Sequence, residues 1–389
     1  MITLLALTYM VSYITRINFG AVVSEISYST GLSKSQLSVA LTGSFITYGL
    51  GQIFCGVLGD RISPKKMIST GLIITVIMNL LIPLCVAPWQ MVIVWSINGL
   101  AQAFMWPPMV RLMTLLLTAE EYQTASTRVS WGSSFGTIFV YLISPIIITL
   151  IGWKGVFVAA ALCAILMLLV WCRKAPNVGD NRSEKGTGKA EKSARGWFSP
   201  VVFFVMVAIA LQGSLRDGVT TWMPAFVTET FHLDSEIAIL TSVVLPIFSV
   251  ISIYAAKVLY QKKFQNPLTC AGVLYGVSTF AALLLFVFQA QNAAVSLALS
   301  ALLTGCMHGI NFILICIVPM YFARYGNTST VSGVLNSCTY VGSAISTYGI
   351  AALAEQMGWG ATIFSWLLIA GAGCVICVCC RRPWQNRFR

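Results

Sequence analysis

The stretch RKAPNVGDNRSEKGTGKAEKSARGW, residues 173–197, separates two apolar halves of this 389-residue chain. It is charged, contains glycine and has no apolar face, which is typical of a flexible linker. The chain as a whole is 57% hydrophobic and only 9% charged. Since soluble domains carry about 25% charged residues, this composition predicts a membrane protein with several spans.

Six apolar segments lie on each side of the linker, and each is close to the length of about 20 residues that a spanning helix needs. We therefore predict an all-α membrane protein with twelve transmembrane helices in two pseudo-symmetric six-helix bundles. The predicted bundles are residues 1–172 and 198–380, joined by a cytoplasmic linker, 173–197, and followed by a cytoplasmic tail, 381–389. The twelve segments are 1–23, 37–58, 67–87, 90–117, 122–150, 154–172, 198–226, 237–260, 267–289, 292–320, 329–353 and 360–380.

The first apolar segment is long and lacks the small-residue cleavage site of a signal peptide, so we expect it to remain as a spanning helix. Because it starts at residue 1, we also expect that a short cytoplasmic leader is missing from this chain.

Basic residues are concentrated in alternate loops and predict the orientation. The opposite loops hold only Lys34 and Lys154. By the positive-inside rule, both termini and the linker are cytoplasmic, and the formal net charge of +12 reflects topology rather than nucleic-acid binding. We expect a plasma-membrane protein. The basic loops hold Arg61, Lys65, Lys66, Arg128, seven residues from Arg173 to Arg195, Lys257, Lys262, Lys263, Arg324, Arg381, Arg382, Arg387 and Arg389.

The two halves repeat in sequence. Gly136 and the Gly152-Trp153 pair recur 206 residues later as Gly342 and Gly358-Trp359. A duplicated six-helix bundle explains this offset.

Two arginines, Arg16 and Arg216, lie inside apolar segments, where an isolated arginine costs about 2.5–3.5 kcal/mol. The acidic residue within an apolar segment is Asp217. Because neighbours on a helix point roughly 100° apart, we expect Asp217 to cancel the charge of Arg216 only poorly. A dissolved anion is the expected counter-ion, and two facing arginines that repel when the site is empty favour obligatory exchange of one anion for another.

The loop that runs from Gly56 to Lys66, with the pattern Gly-x-x-Gly-Asp-Arg-Ile-Ser-Pro-Lys-Lys, resembles the cytoplasmic signature of the major facilitator superfamily. In that family an acidic residue and basic residues latch the two halves together. The resemblance implies a latch that contains Asp60 and Arg61. We interpret Arg111, a third arginine in an apolar segment, as structural and as part of the same latch.

Segment 1 has the pattern Tyr-x-x-x-Tyr-x-x-Arg-x-Asn-Phe from residue 9, and segment 7 has Arg-x-Gly-x-x-x-Trp-x-Pro from residue 216. Both resemble the organophosphate:phosphate antiporters, which include glycerol-phosphate and hexose-phosphate transporters. The resemblance implies that Arg16 and Arg216 clamp an anion, one from each half. The other implied substrate contacts are Tyr9, Tyr13, Tyr340, Gln52, Ser133 and Trp131.

The chain departs from that family at two of these positions and in segment 7, where Thr221 replaces an acid that is often found before the tryptophan. Gln52 stands where a lysine is common, Ser133 where the glycerol-phosphate type has a histidine, and Asp217 follows the arginine of segment 7. Because the site has lost positive charge, a carboxylate mono-anion is a credible substrate beside an organophosphate. Asp217 and His308 are the candidates for proton coupling.

These patterns predict a secondary active transporter that exchanges a small organic anion, such as a sugar phosphate, for inorganic phosphate by alternating access. A proton-coupled symporter of organic acids is the first alternative, and a transporter-like anion sensor is the second. We expect no enzyme activity, cofactor or metal, since the chain shows no nucleophile–base set and the cysteines near Cys377 lack histidine partners. Its partners are the anion, phosphate and the lipid bilayer, and it is expected to act as a monomer.

Overall fold

The fold is helical throughout the part of the chain that the computed structural model describes, residues 1–32, 34–178, 199–231, 235–288, 291–325 and 327–388. Residues 179–197 of the predicted linker lie outside this part. The α-helices are α1 (Ile2–Thr30), α2 (Lys34–Gly59), α3 (Pro64–Leu81), α4 (Pro88–Ala103), α5 (Trp106–Leu116), α6 (Ala119–Ile151), α7 (Trp153–Lys174), α8 (Pro200–Phe231), α9 (Ser235–Lys262), α10 (Pro267–Phe288), α11 (Ala293–Asn311) and α12 (Thr328–Phe388). A π-helix, Phe312–Ile317, and a 3₁₀-helix, Val318–Tyr325, extend α11.

The predicted all-α membrane fold is confirmed. Nine helices within the described ranges are long and apolar enough to cross a membrane. The predicted segment 90–117 corresponds to α4 and α5 in succession, and segments 329–353 and 360–380 are the two parts of α12. An apolar interior without water demands that every backbone hydrogen bond be made within the chain, which helices achieve.

Local sequence determines where several helices begin. Pro64 and Pro88 are the first residues of α3 and α4, where the missing N–H of proline has no intrahelical partner to lose. Thr118 caps α6: its hydroxyl accepts the N–H of Glu121, and the Glu121 carboxylate accepts the N–H of Thr118 at 2.9 Å. This reciprocal capping box gives the longest helix before α12 a defined start.

Two interruptions also follow from the sequence. Pro107 and Pro108 cannot continue a helix from the preceding turn, so α4 ends at Ala103 and α5 begins at Trp106. Within α12, Gly358 adopts φ 78° and ψ 178° and separates the helix into two parts. The helix α12 continues to Phe388, so the described part of the predicted tail is helical. Trp384 in this part is buried.

The chain forms two compact units. The first comprises Met1–Lys192 together with Phe322–Ser337, and the second comprises Ser193–Tyr321 together with Cys338–Arg389. In the first unit α1 packs on α6 and α7 while α2 packs on α4 and α5. In the second unit α11 packs on α8, α9 and α10.

The two units repeat one helix contact in matching registers. A Cβ on Gly136 of α6 would collide with the carbonyl oxygen of Met10 on α1, and a Cβ on Gly342 of α12 would collide with that of Ala210 on α8. The glycines are 206 residues apart and their partners are 200 residues apart, the same spacing as Arg16 and Arg216. Gly152 and Gly358 also share a backbone conformation, with φ 77° and 78°. Equivalent helices therefore carry the two arginines in the two units.

Replacing Gly342 by alanine should destabilise the second unit by about 1–3 kcal/mol, because the new methyl group has no space beside the Ala210 carbonyl. Thermal unfolding of the purified protein in detergent measures the effect. Gly349→Ala is the matched control, since nothing lies within 4 Å of a Cβ at that position. Equal unfolding temperatures for the two variants would contradict the close approach of α8 and α12.

Candidate functional site

Arg16 of α1 lies in a cage of aromatic rings. Its guanidinium carbon is 3.8 Å from the centroid of the Tyr48 ring, 5.6 Å from that of Tyr13 and 5.9 Å from that of Phe45. The face of an aromatic ring attracts a cation, and this attraction exceeds about 2 kcal/mol where water is excluded. Tyr48 and Phe45, both on α2, were missed as site residues by the sequence analysis, although their i, i+3 spacing already placed them on one face.

Tyr9 and Tyr13 are on the same face of α1, as predicted from their spacing, but they differ in environment. The Tyr9 ring is 5.2 Å from the Tyr13 ring and 5.3 Å from the Trp106 ring, and only 9% of Tyr9 is exposed. Tyr13 is half-buried and also contacts the Arg16 guanidinium. Tyr9 thus packs behind Tyr13, and Tyr13 is the better placed of the two to touch a ligand.

Buried amide side chains hold the backbone of α1 next to Arg16. The carbonyl oxygen of Thr15 accepts hydrogen bonds from Asn79 of α3 at 3.3 Å and from Asn98 of α4 at 3.1 Å. The Gln102 amide donates to the Thr15 hydroxyl at 3.0 Å, and the Asn18 amide donates to the Asn79 side-chain oxygen at 2.8 Å. All of these side chains are buried. These hydrogen bonds from α3 and α4 hold the segment of α1 that carries the arginine, although the side-chain oxygen of Asn98 has no hydrogen-bond partner among the described residues.

The other predicted contacts of the first unit are on α2 and α6. Gln52 follows Tyr48 by one helical turn and is fully buried, and neither its amide nitrogen nor its amide oxygen has a hydrogen-bond partner. An unsatisfied buried amide costs about 1–3 kcal/mol, so Gln52 is available to a polar ligand. Ser133 donates its hydroxyl to the Ser130 carbonyl at 2.7 Å, and it and Trp131 are half-buried on α6.

Arg216 of α8 forms a bidentate ion pair with Asp217, its neighbour in sequence. The guanidinium Nε is 2.6 Å from one carboxylate oxygen and a terminal nitrogen is 2.8 Å from the other. The expectation that Asp217 cancels Arg216 only poorly was therefore wrong. The two Cα–Cβ bonds do diverge around the helix, but the long arginine side chain can turn its planar end back to a neighbouring carboxylate.

Several side chains of the second unit surround this pair. The Ser343 hydroxyl of α12 donates to the Asp217 carboxylate, and Tyr340 lies one turn earlier on α12. His308 of α11 is close enough to interact electrostatically with Arg216 and Asp217. The structure thus brings His308 close to Arg216 and Asp217, which the sequence analysis had also singled out.

Gln212, one turn before Arg216, ties α8 to α11. Its amide nitrogen donates to the Met307 carbonyl at 3.0 Å, and its oxygen accepts from Asn311 at 3.4 Å. This link holds α8 beside the helix that carries His308. Sequence patterns did not single out Gln212 or Asn311.

Asp60, just after α2, caps the amino terminus of α12 within the first unit. Its carboxylate accepts the backbone N–H of Ser329 at 2.9 Å and that of Thr330 at 2.8 Å, and it accepts the Thr330 hydroxyl at 2.6 Å. These are the donors that an N-cap side chain normally satisfies, and a negative charge is favourable at that end of a helix. Burial raises the pKa of the Asp60 carboxyl above the ordinary aspartate value, while the hydrogen bonds from Thr330 and Ser329 act in the opposite direction. Ionised Asp60 therefore carries a cost of burial that these bonds offset only in part.

Arg111 of α5 binds the backbone on both sides of Asp60. Its guanidinium donates to the carbonyl oxygens of Gly59 at 2.6 Å and Ile62 at 3.0 Å, at the carboxyl end of α2. Its charge also acts on the adjacent Asp60 carboxylate. The geometry agrees with the predicted structural role of Arg111, whereas Arg61 is exposed.

A family model described as Major Facilitator Superfamily matches residues 5–347. The chain belongs to the major facilitator superfamily. The family and the names of the relatives indicate a membrane transporter. Within the described ranges, no group of three or more histidine, cysteine or acidic side chains is arranged to hold a metal ion.

Relatives of this major facilitator protein carry names from sugar-phosphate transport. It is 31% identical over 159 residues to a "Probable hexose phosphate transport protein" of Chlamydia muridarum, which covers 41% of this chain and 35% of the relative. It is 25% identical over 248 residues to "Membrane sensor protein UhpC" of Salmonella typhimurium, covering 59% of this chain and 56% of the relative. The matches thus span between about a third and just over half the length of these relatives. The predicted resemblance to organophosphate transporters is confirmed.

Solved structures support the same fold. The chain superimposes on the proton:xylose symporter XylE, a major facilitator protein, with a TM-score of 0.78 and 15% sequence identity, over 97% of this chain and 94% of the symporter. At this identity the likeness concerns the fold.

Replacing Asp60 by alanine should lower the free energy of unfolding by about 1–3 kcal/mol, because two backbone N–H groups and a hydroxyl at the start of α12 lose their acceptor. Thermal unfolding in detergent tests this expectation. The control is Glu120→Ala, which removes an exposed carboxylate from the first turn of α6 and should change stability by no more than about 0.5 kcal/mol. If the two variants unfold alike, the cap is not a stabilising contact.

Proposed function

We propose that this chain is a secondary active transporter of small organic anions of the sugar-phosphate class, which it exchanges for inorganic phosphate by alternating access. The observation that carries the proposal is the pair Arg16 and Arg216. They occupy equivalent positions on equivalent helices of the two repeated units, each inside a membrane-spanning segment. The hexose-phosphate relative points to the same substrate class.

The chemistry of each arginine suits an oxyanion. A guanidinium presents several N–H donors in a planar fork, and phosphate and carboxylate oxygens match that fork with two parallel hydrogen bonds. Arg16 is held over the Tyr48 ring and beside Tyr13, so its direction is set before a ligand arrives. The amide of Gln52 and the hydroxyls of Tyr13 and Tyr340 are the neutral groups that we propose to complete the binding of the anion.

The Asp60 and Arg111 contacts are the proposed conformational latch. Together they tie the end of α2 and the start of α12 through hydrogen bonds that can be exchanged for water. We propose that these hydrogen bonds are made in one state of the transport cycle and are exchanged for water when the latch opens. Arg61 is the exposed basic residue of the same loop, and we assign it to the latch on the sequence pattern alone.

We further propose that the protein acts as a monomer in the plasma membrane with both termini in the cytoplasm. The charge asymmetry of the loops supports this orientation. We also propose that the first bundle ends at residue 172, the linker at residue 197 and the second bundle at residue 380.

The test is counterflow in proteoliposomes preloaded with inorganic phosphate, with labelled glucose-6-phosphate outside and no pH gradient. Uptake should require internal phosphate. Arg16→Gln and Arg216→Gln should each lower it about 100-fold or more, since each removes two charge-assisted hydrogen bonds of about 1.5–3 kcal/mol.

Arg128→Gln is the matched control, because Arg128 is an exposed arginine of α6 and is not one of the proposed site residues. Its exchange rate should equal that of the native protein. Phosphate-independent uptake, or full activity in Arg16→Gln, would contradict anion exchange.

A proton-coupled symporter of organic acids is the second candidate, favoured by Asp217 and His308 lying near each other in the second unit. An inward proton gradient should then drive hexuronate uptake into liposomes that contain no phosphate. Asp217→Asn should abolish that gradient-driven uptake and spare exchange.

The similarity to UhpC favours a third candidate, a sensor that binds an anion and signals without transport. A sensor should bind glucose-6-phosphate tightly, as measured by calorimetry in detergent, while counterflow stays at the level of empty liposomes. Turnover in counterflow would exclude a role in sensing alone.

A further inference from the structure

The Arg216 fork is already occupied by an anion that belongs to the protein. The two hydrogen bonds to Asp217, at 2.6 and 2.8 Å, are the two parallel bonds that a phosphate or carboxylate ligand would make. A ligand cannot make both of them while Asp217 keeps its position. Asp217 uses two of the five N–H donors of the guanidinium, and binding of a ligand at this face of Arg216 is therefore a competition between the ligand and the carboxylate.

The ion pair remains accessible. The Arg216 and Asp217 side chains are 16% and 33% exposed, so neither is sealed in the protein interior. Complete enclosure would strengthen the attraction between the two charges but would also remove their hydration, which costs several kcal/mol per ion. Partial exposure instead leaves a path by which a dissolved anion can reach the guanidinium.

A receiver for the displaced carboxylate is also present. Ser343 donates its hydroxyl to Asp217, on the oxygen that also accepts from the terminal nitrogen of Arg216. If a ligand takes over the guanidinium, this hydroxyl continues to satisfy the carboxylate. Among the described residues, Arg216 and His308 of α11 are the charged or titratable groups that act on Asp217.

We propose that Asp217 is a resident competing anion, which neutralises Arg216 in the unloaded protein and is displaced from it by the transported anion. The inference rests on the proposed function in one respect, that anions bind at Arg216. It makes Asp217 a specificity-determining residue: only an anion that binds a guanidinium better than an aspartate does can load the site. In this proposal Asp217 also cancels the charge of Arg216 when no substrate is bound.

The decisive variant is Asp217→Asn, which removes the competing charge and keeps the shape of the side chain. Binding is measured by calorimetry on the purified full chain in detergent at constant pH, with inorganic phosphate and with gluconate as separate probes. We expect the dissociation constant for phosphate to fall about tenfold or more. Adding Arg216→Gln to Asp217→Asn should abolish the gain, which locates it at the guanidinium.

The matched control is Glu229→Gln, a carboxylate-to-amide change on the same helix at an exposed residue that bonds the Trp359 indole. Its affinity for both anions should equal that of the native protein. A gain in Glu229→Gln equal to that in Asp217→Asn would mean that net charge alone is responsible, and it would overturn the proposal.

A second variant has the opposite expected sign and keeps the proposal testable if Asp217→Asn does not fold. Ser343→Ala deprives the displaced carboxylate of its donor, so displacement becomes harder and phosphate binding should weaken about threefold or more. Ser365→Ala, which loses only a hydrogen bond to its own helix at Thr362, is the control. Tighter binding in Ser343→Ala would overturn the proposal.

The two probes separate this proposal from the proposed function. Tighter phosphate binding in Asp217→Asn supports both. A gain with gluconate alone supports the resident anion and counts against a sugar-phosphate substrate. If neither anion binds more tightly to a folded Asp217→Asn protein, the resident-anion proposal is wrong, whatever the native chain transports.

Discussion

The charge of a guanidinium inside a membrane-spanning helix must be stabilised by groups next to it. The two units of this protein stabilise their arginines in different ways. Arg16 is surrounded by the rings of Tyr48, Tyr13 and Phe45, which attract a cation without cancelling its charge. Arg216 is neutralised by a bidentate bond to Asp217. Aromatic rings thus lie around the first guanidinium, whereas a carboxylate of the protein itself is bonded to the second. Under the proposed function, this difference sets the affinity and the selectivity for anions.

The scaffold around the arginines is repeated, but the chemistry on it is not. Gly136 and Gly342 let equivalent helices approach in the same register, so that α1 and α8 are supported by α6 and α12 in the same way. The polar support differs, because buried amides hold the Thr15 carbonyl in the first unit while Gln212 links α8 to α11 in the second. Duplication thus explains the positions of the two arginines, and later divergence explains their different surroundings.

This asymmetry bears on how anions are coupled. Obligatory exchange was expected from two arginines that repel each other in an empty site. Because Asp217 neutralises Arg216, the repulsion between the two arginines in an empty site is smaller than that expectation assumed. A smaller repulsion would lower the barrier to net transport of one anion without exchange. The same carboxylate, once displaced, is the group that a proton-coupled mechanism would need. The two proposed mechanisms, exchange and proton coupling, therefore differ in the role that each assigns to Asp217.

Much of the architecture followed from the sequence by itself. Bilayer thickness and the high cost of charge in lipid predicted the apolar segments, the basic loops and the importance of Arg16 and Arg216, since these depend on local composition. The repeat at 206 residues also predicted which helices correspond. Only the tertiary structure showed that Asp217 reaches Arg216, that Tyr48 and Phe45 cage Arg16, and that Asp60 caps α12. The first contact depends on the bend of a long side chain, and the others join residues that lie far apart along the chain. Helical periodicity gives the face on which a residue lies, but it does not give the partner that the face meets.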